Sequence, residues 1–321
     1  MPTALNSLAS RVARSAVLSR GFRALTKPSR FVVLTYHRVN DDAHPYFGGV
    51  EVELFRRQMI SLKRHFVVLP LLELVERAKA GEVPPNAAAI TFDDGYRDNY
   101  TRAFPVLHEL GLPATVFLVT DALDHDRLIW HDRVFDAFHR TAKPSVELDG
   151  ETAEVGQTTL LRVLERVRSV SPRERDSMVD ALVAKLEIDE ARPEAWAKLR
   201  WDDVREMSRA GIEFGSHTLD HPILSHVDAE ETRRQIRDSK ARIEAELGIP
   251  VTSFAYPNGR AGDFDESTIR ILVEEGYECA VTTVPGANDA STSPFALRRS
   301  GMWGEDTELS ALRLAWSRVR A

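Results

Sequence analysis

Short apolar runs rich in β-branched residues alternate with longer amphipathic stretches along most of this chain, and that rhythm limits its fold more than any other feature. The runs lie at 31–36, 66–69, 89–93, 114–119, 212–215, 253–256 and 280–283. Each has the length and composition of a buried strand. Between them, 54–65, 71–80, 99–110, 202–210, 229–247 and 265–275 carry apolar residues at helical spacing, with Gly81 and Gly111 as stops. Strand followed by helix, about seven times over, predicts parallel strands with helices outside. No Gly-rich nucleotide loop follows the first run, so a closed or nearly closed α/β barrel is expected rather than a doubly wound sheet.

The rhythm breaks between 122 and 200. Residues 140–158 are polar and irregular, with a small hairpin expected through Val146, Leu148 and Val155. Residues 159–170 and 173–186 read as amphipathic helices rich in Arg and Glu. The segment is too long for a loop in a compact domain. A mainly helical insertion is expected here, either a lid or substrate-shaping wall or a passive packing insert. The alternation resumes at Trp201.

At 321 residues the chain can bury a full core, and its hydrophobic share of 43% is ordinary for a globular protein. A formal net charge of −7 argues against nucleic acid as the main partner. Cys279 is the only cysteine, which excludes an internal disulfide. No apolar stretch is long enough to span a bilayer. The first 30 residues stand apart from the rest (31–321), since no acidic residue precedes Asp41 and Arg11, Arg14, Arg20, Arg23, Lys27 and Arg30 are interspersed with apolar residues. Those arginines interrupt what would be the continuous apolar centre of a secretory signal. The segment reads either as a basic amphipathic helix lying on an anionic membrane surface or as a plain leader or packing helix. The lack of a secretory signal favours the cytoplasm, at the inner membrane surface if that helix binds it.

Two adjacent carboxylates mark where chemistry is expected. Ala89-Ile90-Thr91-Phe92-Asp93-Asp94-Gly95 is an apolar strand running into a turn. Like charges side by side are costly to keep ionised unless a cation or a shared proton relieves them. Further ligands are available in Gly215-Ser216-His217-Thr218-Leu219-Asp220-His221. One Asp with two His is a donor set suited to a catalytic divalent metal that keeps positions open for water. Phe254-Ala255-Tyr256-Pro257-Asn258-Gly259 is a strand ending in a turn, and the backbone N–H after Pro257 can hold a developing oxyanion. His37, Asp93, His217 and Pro257 all fall at the C-terminal ends of strands, where the active sites of such barrels lie.

In order, Thr91-Phe92-Asp93-Asp94-Gly95, His217-Thr218-Leu219-Asp220-His221 and Phe254-Ala255-Tyr256-Pro257-Asn258-Gly259 resemble the signatures of the polysaccharide deacetylase (NodB-homology) family, carbohydrate esterase family 4. The resemblance covers roughly 31–301, with the insertion outside the shared core. It implies a distorted (β/α)7-type barrel. It also implies that Asp94, His217 and His221 bind a divalent metal, Zn2+ or else Co2+ or Ni2+. Asp93 would be the general base, with the oxyanion held near the metal and the backbone N–H of Asn258.

Departures from the common pattern bear on the remaining roles. Ala255 stands where that pattern has an Arg, Leu297-Arg298-Arg299 replaces a Leu-x-His, and no His follows His226. Leu34-Thr35-Tyr36-His37-Arg38 resembles the permuted branch similar to poly-N-acetylglucosamine deacetylases, in which the general acid sits on the first strand. His37 is therefore expected as general acid, with a simple strand-end His as the alternative. Arg299 is the candidate to orient Asp93. Asn258 takes a place where an aromatic is frequent. Trp130-His131-Asp132, in the insertion, reads either as a sugar contact or, for Trp130, as a helix anchor. The activity expected is hydrolysis of N-acetyl groups on N-acetylhexosamine units of a cell-surface or exported polysaccharide, with an acetylated glycan as partner. O-acetyl ester hydrolysis on a similar glycan and glycan binding without turnover are the alternatives.

Overall fold

The chain enters its sheet at β1 (Phe31–Tyr36), crosses helix α1 (Val52–His65), the short strand β2 (Val67–Val68) and helix α2 (Leu71–Ala80), and returns in β3 (Ala87–Phe92). A π-helical turn at Asn99–Ala103 leads into α3 (Phe104–Leu110) and β4 (Thr115–Leu118). Next come α4 (Thr120–Asp124), α5 (Trp130–Arg140), the hairpin β5 (Ser145–Leu148) and β6 (Glu151–Glu154), α6 (Gln157–Arg168) and α7 (Pro172–Lys185). Then α8 (Trp201–Arg209) returns the chain to β7 (Glu213–Ser216), followed by α9 (Ala229–Leu247), β8 (Ser253–Ala255), α10 (Glu266–Glu274), β9 (Cys279–Val281) and β10 (Ser300–Gly301). This computed structural model describes residues 30–301 apart from 43, 126 and 190–193. The basic N-terminal segment, Arg30 excepted, lies outside the described residues.

The strand order is β10-β1-β3-β4-β7-β8-β9, with β2 also paired to β3, and every pairing in this sheet is parallel. Leu297 bridges to Val281 of β9, and Ser300 pairs with Leu34 of β1, so residues 297–301 touch both ends of the sheet. The result is a distorted, incomplete (β/α) barrel, as the alternating pattern implies.

Alternation along each strand separates two cores. Val32, Leu34, Tyr36, Ala88, Ile90 and Phe92 pack outward against residues such as Phe55, Met59, Val106, Val204 and Ile236 of the surrounding helices. Phe31, Val33, Ala87, Ala89, Phe117, Ala255 and Val281 form the inner cluster, joined by Leu71, Leu74 and Val75 of α2. The inner face is narrow. A Cβ on Gly215 would lie 2.5 Å from the Phe117 ring and 2.6 Å from Ser253 Oγ.

The same period of two carries the inner face onward to functional positions. His37 continues Val33 and Thr35, Asp93 continues Ala89 and Thr91, and His217 follows Gly215. Pro257 follows Ala255, and Arg299 follows Leu297. The residues between β4 and α8 build a separate core around Trp130, Val134, Phe138, Leu160, Val163, Val179 and Leu182. Sequence periodicity overlooks β10, which is two residues long, and the π-helical start of 99–110. At that start Asn99 Nδ2 donates to the His37 carbonyl at 2.9 Å, a local demand that an ideal helix pattern does not reveal.

Candidate active site

The Asp93 N–H still donates to the Tyr36 carbonyl at 3.0 Å, so this residue remains in the strand ladder. Asp94 does not. Its φ of +70° and the +62° of Gly95 turn the chain sharply and send the two carboxylates in different directions. Thr218, His221 and Asn258 also have positive φ, at +71°, +62° and +56°. The left-handed region is uncommon for residues with a side chain, and its recurrence around one site marks strain held there by the surrounding fold.

Arg299 grips Asp93 with both ends of its guanidinium, Nη1 to Oδ1 at 2.7 Å and Nη2 to Oδ2 at 2.6 Å. It also donates to Thr91 Oγ1 at 3.2 Å and to the Thr282 carbonyl at 2.7 Å. Both partners are buried. Burial by itself raises the Asp93 carboxyl, but the charge and hydrogen bonds of Arg299, helped by His217 and His37, bring it down to about 2. His37 Nε2 stands 4.0 Å from Asp93 Oδ2, and burial lowers its pKa against the pull of that carboxylate.

Asp94 meets the opposite environment. Burial raises its carboxyl to about 6, with Lys198 and His217 opposing and Asp132 and Asp93 reinforcing. Adjacent carboxyls are thus pushed apart in pKa, the pattern expected where two acids have different tasks. His217 Nε2 and His221 Nε2 lie 3.6 Å and 3.7 Å from Asp94 Oδ1. Donor atoms of Asp94, His217 and His221 all fall within 4.8 Å of one another, and all three residues are buried. Both Asp94 oxygens and His221 Nδ1 are buried without a hydrogen-bond partner. Two buried carboxylate oxygens without a partner, with the Nε2 atoms of His217 and His221 close to Oδ1, form a donor set that a cation would satisfy.

The loop that carries the imidazoles is fastened independently of any ligand. His217 Nδ1 lies 2.7 Å from the Ala255 carbonyl, which can only accept, so Nδ1 carries the proton and Nε2 is left with its lone pair toward Asp94. Thr218 Oγ1 accepts from the His221 N–H at 3.0 Å, and Gln235 Oε1 accepts from the N–H groups of Leu219 and Asp220. The His221 carbonyl accepts from Trp130 Nε1 at 3.1 Å and from Arg175 Nη1 at 3.3 Å. Burial lowers the pKa of both imidazoles, so they are neutral and able to ligate.

A cavity of about 300 Å³ opens over these groups, lined by His37, Asp93, His217, His221 and Asn258. Asn258 Nδ2 is buried there without a partner, and Pro257 is buried at the strand end. The wall opposite comes from the insertion, through Trp130, His131 and Phe135 of α5 and Leu164, Glu165 and Arg168 of α6. Trp130 therefore both anchors a helix and faces the cavity. Arg260 pairs with Glu165 at 2.7 Å, and Arg168 pairs with Asp263, tying α6 to the turn after β8. His125 and His139 are exposed. Sequence reasoning did not single out Tyr96, which adjoins the acidic motif, nor Lys198 or Phe47, which reach the site from stretches with no chemical motif. Lys198 Nζ lies 2.9 Å from Asp132 Oδ2 and over the Tyr96 ring.

Fold and site define a hydrolase-type barrel with a carboxylate–imidazole cluster at the strand ends. The polysaccharide deacetylase family model matches residues 80–280, and the chain belongs to that family. YxkH of Bacillus subtilis is 23% identical over 276 residues, which cover 85% of this chain and 71% of that protein. The poly-beta-1,6-N-acetyl-D-glucosamine N-deacetylase of Escherichia coli is 33% identical over 87 residues, covering 26% of this chain and 13% of that protein. The structure of the Streptococcus pyogenes deacetylase PplD in complex with acetate has a similar fold, with a TM-score of 0.64 and 19% identity. That match covers 90% of this chain and 99% of PplD.

Proposed function

We propose that this polysaccharide deacetylase is a metal-dependent hydrolase that removes N-acetyl groups from N-acetylhexosamine units of a cell-surface or exported glycan. The observation that carries the reading is the buried Asp94, His217 and His221 cluster, whose two imidazoles line the cavity together with Asp93. The partial match to an N-deacetylase of a poly-N-acetylglucosamine favours an amide over an ester as the bond cleaved.

Asp94 Oδ1, His217 Nε2 and His221 Nε2 would hold the cation, and one oxygen with two nitrogens suits Zn2+, with Co2+ or Ni2+ as alternatives. When bound, the metal polarises the acetyl carbonyl and makes a water acidic enough to attack near neutral pH. Asp93 takes a proton from the attacking water, with Arg299 fixing the carboxylate's orientation. A carboxyl held to about 2 keeps that proton only briefly. His37, 4.0 Å away, accepts it and delivers it to the departing amine nitrogen as the carbon–nitrogen bond breaks. The protons balance, since the water's oxygen goes to the acyl carbon and one of its protons to the amine. Asn258 offers its backbone N–H to the oxyanion, and the aromatic wall of Trp130 and Phe135 packs against the sugar.

The test is a comparison of products from zinc-loaded protein. Chitooligosaccharides should yield free amine and acetate in equal amounts, while acetylated xylan should yield little acetate. Acetate from xylan with no amine from chitooligosaccharides would instead make the protein an O-acetyl esterase. Metal binding with no turnover of any acetylated sugar would point to glycan binding alone.

A further inference from the structure

His131 takes no part in the chemistry set out above, yet it faces that chemistry directly. It stands in the first turn of α5, and its imidazole lines the same cavity as His37, His217 and His221. Its Nε2 lies 3.7 Å from Asp94 Oδ2 and 3.5 Å from Asp132 Oδ1. Its ring centroid is 4.9 Å from that of His221. His131 Nε2 and Asp94 Oδ2 are both buried, and neither makes a hydrogen bond. His217 and His221 approach Asp94 at Oδ1, so a cation shared with them leaves Oδ2 in need of a donor. An unmatched carboxylate oxygen in a dry site is the kind of group that native folds satisfy.

The helix that supplies His131 is tied to the site on either side of it. Trp130 Nε1 donates to the His221 carbonyl. Asp132 accepts from the Tyr96 hydroxyl and from the Ile129 N–H at 3.3 Å, and it pairs with Lys198 Nζ at 2.9 Å. Tyr96 lies two residues beyond Asp94 and pairs through its backbone with Lys198 at the far end of the insertion. Three consecutive residues of α5 thus address His221, Asp94 and the Tyr96–Lys198 pair. A passive packing helix has no need of that arrangement.

We infer that His131 is a positioning residue whose Nε2–H donates to Asp94 Oδ2, so that Asp94 presents Oδ1 to the cation together with His217 and His221. The inference rests on the metal-site reading given above. A small rotation of either side chain closes the present gap to a hydrogen bond. The insertion then takes part in building the metal site rather than only covering it. Groups that orient metal ligands in this way typically change affinity 10- to 100-fold when removed.

The test uses the full chain, with zinc alone as ligand and a chelator competition to read its affinity. Wild type should take up one equivalent, and His217→Ala should lose it. If wild type takes up no zinc, the metal-site reading itself fails. Given binding by wild type, His131→Leu should bind about 10- to 100-fold more weakly. His131→Gln, which keeps an N–H donor near the same place, should recover to within a few-fold of wild type. The cobalt-loaded His131→Gln protein should retain the wild-type visible spectrum, because the ligand set is unchanged. Zinc affinity of His131→Leu equal to that of wild type would overturn the inference. So would a His131→Gln protein as weak as His131→Leu, or one with an altered cobalt spectrum, since His131 would then be a direct ligand.

Discussion

Removing the Arg299 guanidinium should reverse the direction in which acid affects this protein's stability. Asp93 is fully buried, and its carboxyl is nevertheless lowered from 3.8 to about 2. A displacement of roughly two pH units at about 1.4 kcal/mol each means that ionised Asp93 contributes roughly 2–3 kcal/mol to folding at neutral pH. Because the folded value is depressed, that contribution is present above pH 3.8 and is lost as pH falls through about 2. In Arg299→Leu the burial stays and the compensating charge goes, so the carboxyl rises above its ordinary value. The folded state then prefers the protonated acid. Breaking a buried pair by removing one partner costs about 3–5 kcal/mol, and here that loss should be largest at neutral pH and shrink as the carboxyl becomes protonated. Urea denaturation of the chelator-treated proteins from pH 4 to 7.5 measures the difference directly. Asp93→Asn combined with Arg299→Leu should be less destabilised at pH 7 than Arg299→Leu alone. A difference from wild type below about 1 kcal/mol at pH 7, or one that stays constant down to pH 4, would refute the reasoning.

Asp93→Asn should bind zinc as wild type does while acetate release falls by about 10²–10⁴; loss of zinc along with activity would remove Asp93 from the base role. His37→Ala should slow amide hydrolysis by a similar factor but leave hydrolysis of an activated acetate ester within about tenfold, since a good leaving group needs no proton. An equal loss on both substrates counts against the acid role. The raised Asp94 carboxyl, at about 6, makes a proton the competitor of the cation. Zinc affinity measured by chelator competition should therefore fall about tenfold for each pH unit below 6, and an affinity that is flat from pH 5 to 7 would disprove this.

Strand–helix alternation makes the barrel legible because the hydrophobic effect acts on local pattern. The runs around Val33, Ala89 and Ala255 announce buried strands, and His37 and Asp93 fall at their C-terminal ends, while which face of each strand is the inner one emerges only from the packing. The acidic pair and the His217–His221 pair are visible because their chemistry lies within single short segments. Arg299 was harder. Its role as partner to Asp93 follows from an absence at Ala255, and the bidentate geometry spans 206 positions of chain. The Trp130-His131-Asp132 segment offered a sugar contact but gave no sign that His131 faces Asp94, and Lys198 carries no clue, since an isolated Lys in a helical insertion is more often a surface residue.

What the sequence by itself determined is the parallel α/β architecture, the strand ends where chemistry gathers and the types of donor available there. Those depend on periodicity and side-chain identity, which are local properties. The roles of the two carboxylates are expected from the motif resemblance, but only the tertiary structure shows the contacts that give each its own environment. Asp93 and Asp94 are neighbours of the same type, and a positive φ at the second turns them toward different partners. One meets a guanidinium from the end of the chain and the other meets imidazoles from mid-chain, a division that arises from long-range packing and electrostatics rather than from any short motif.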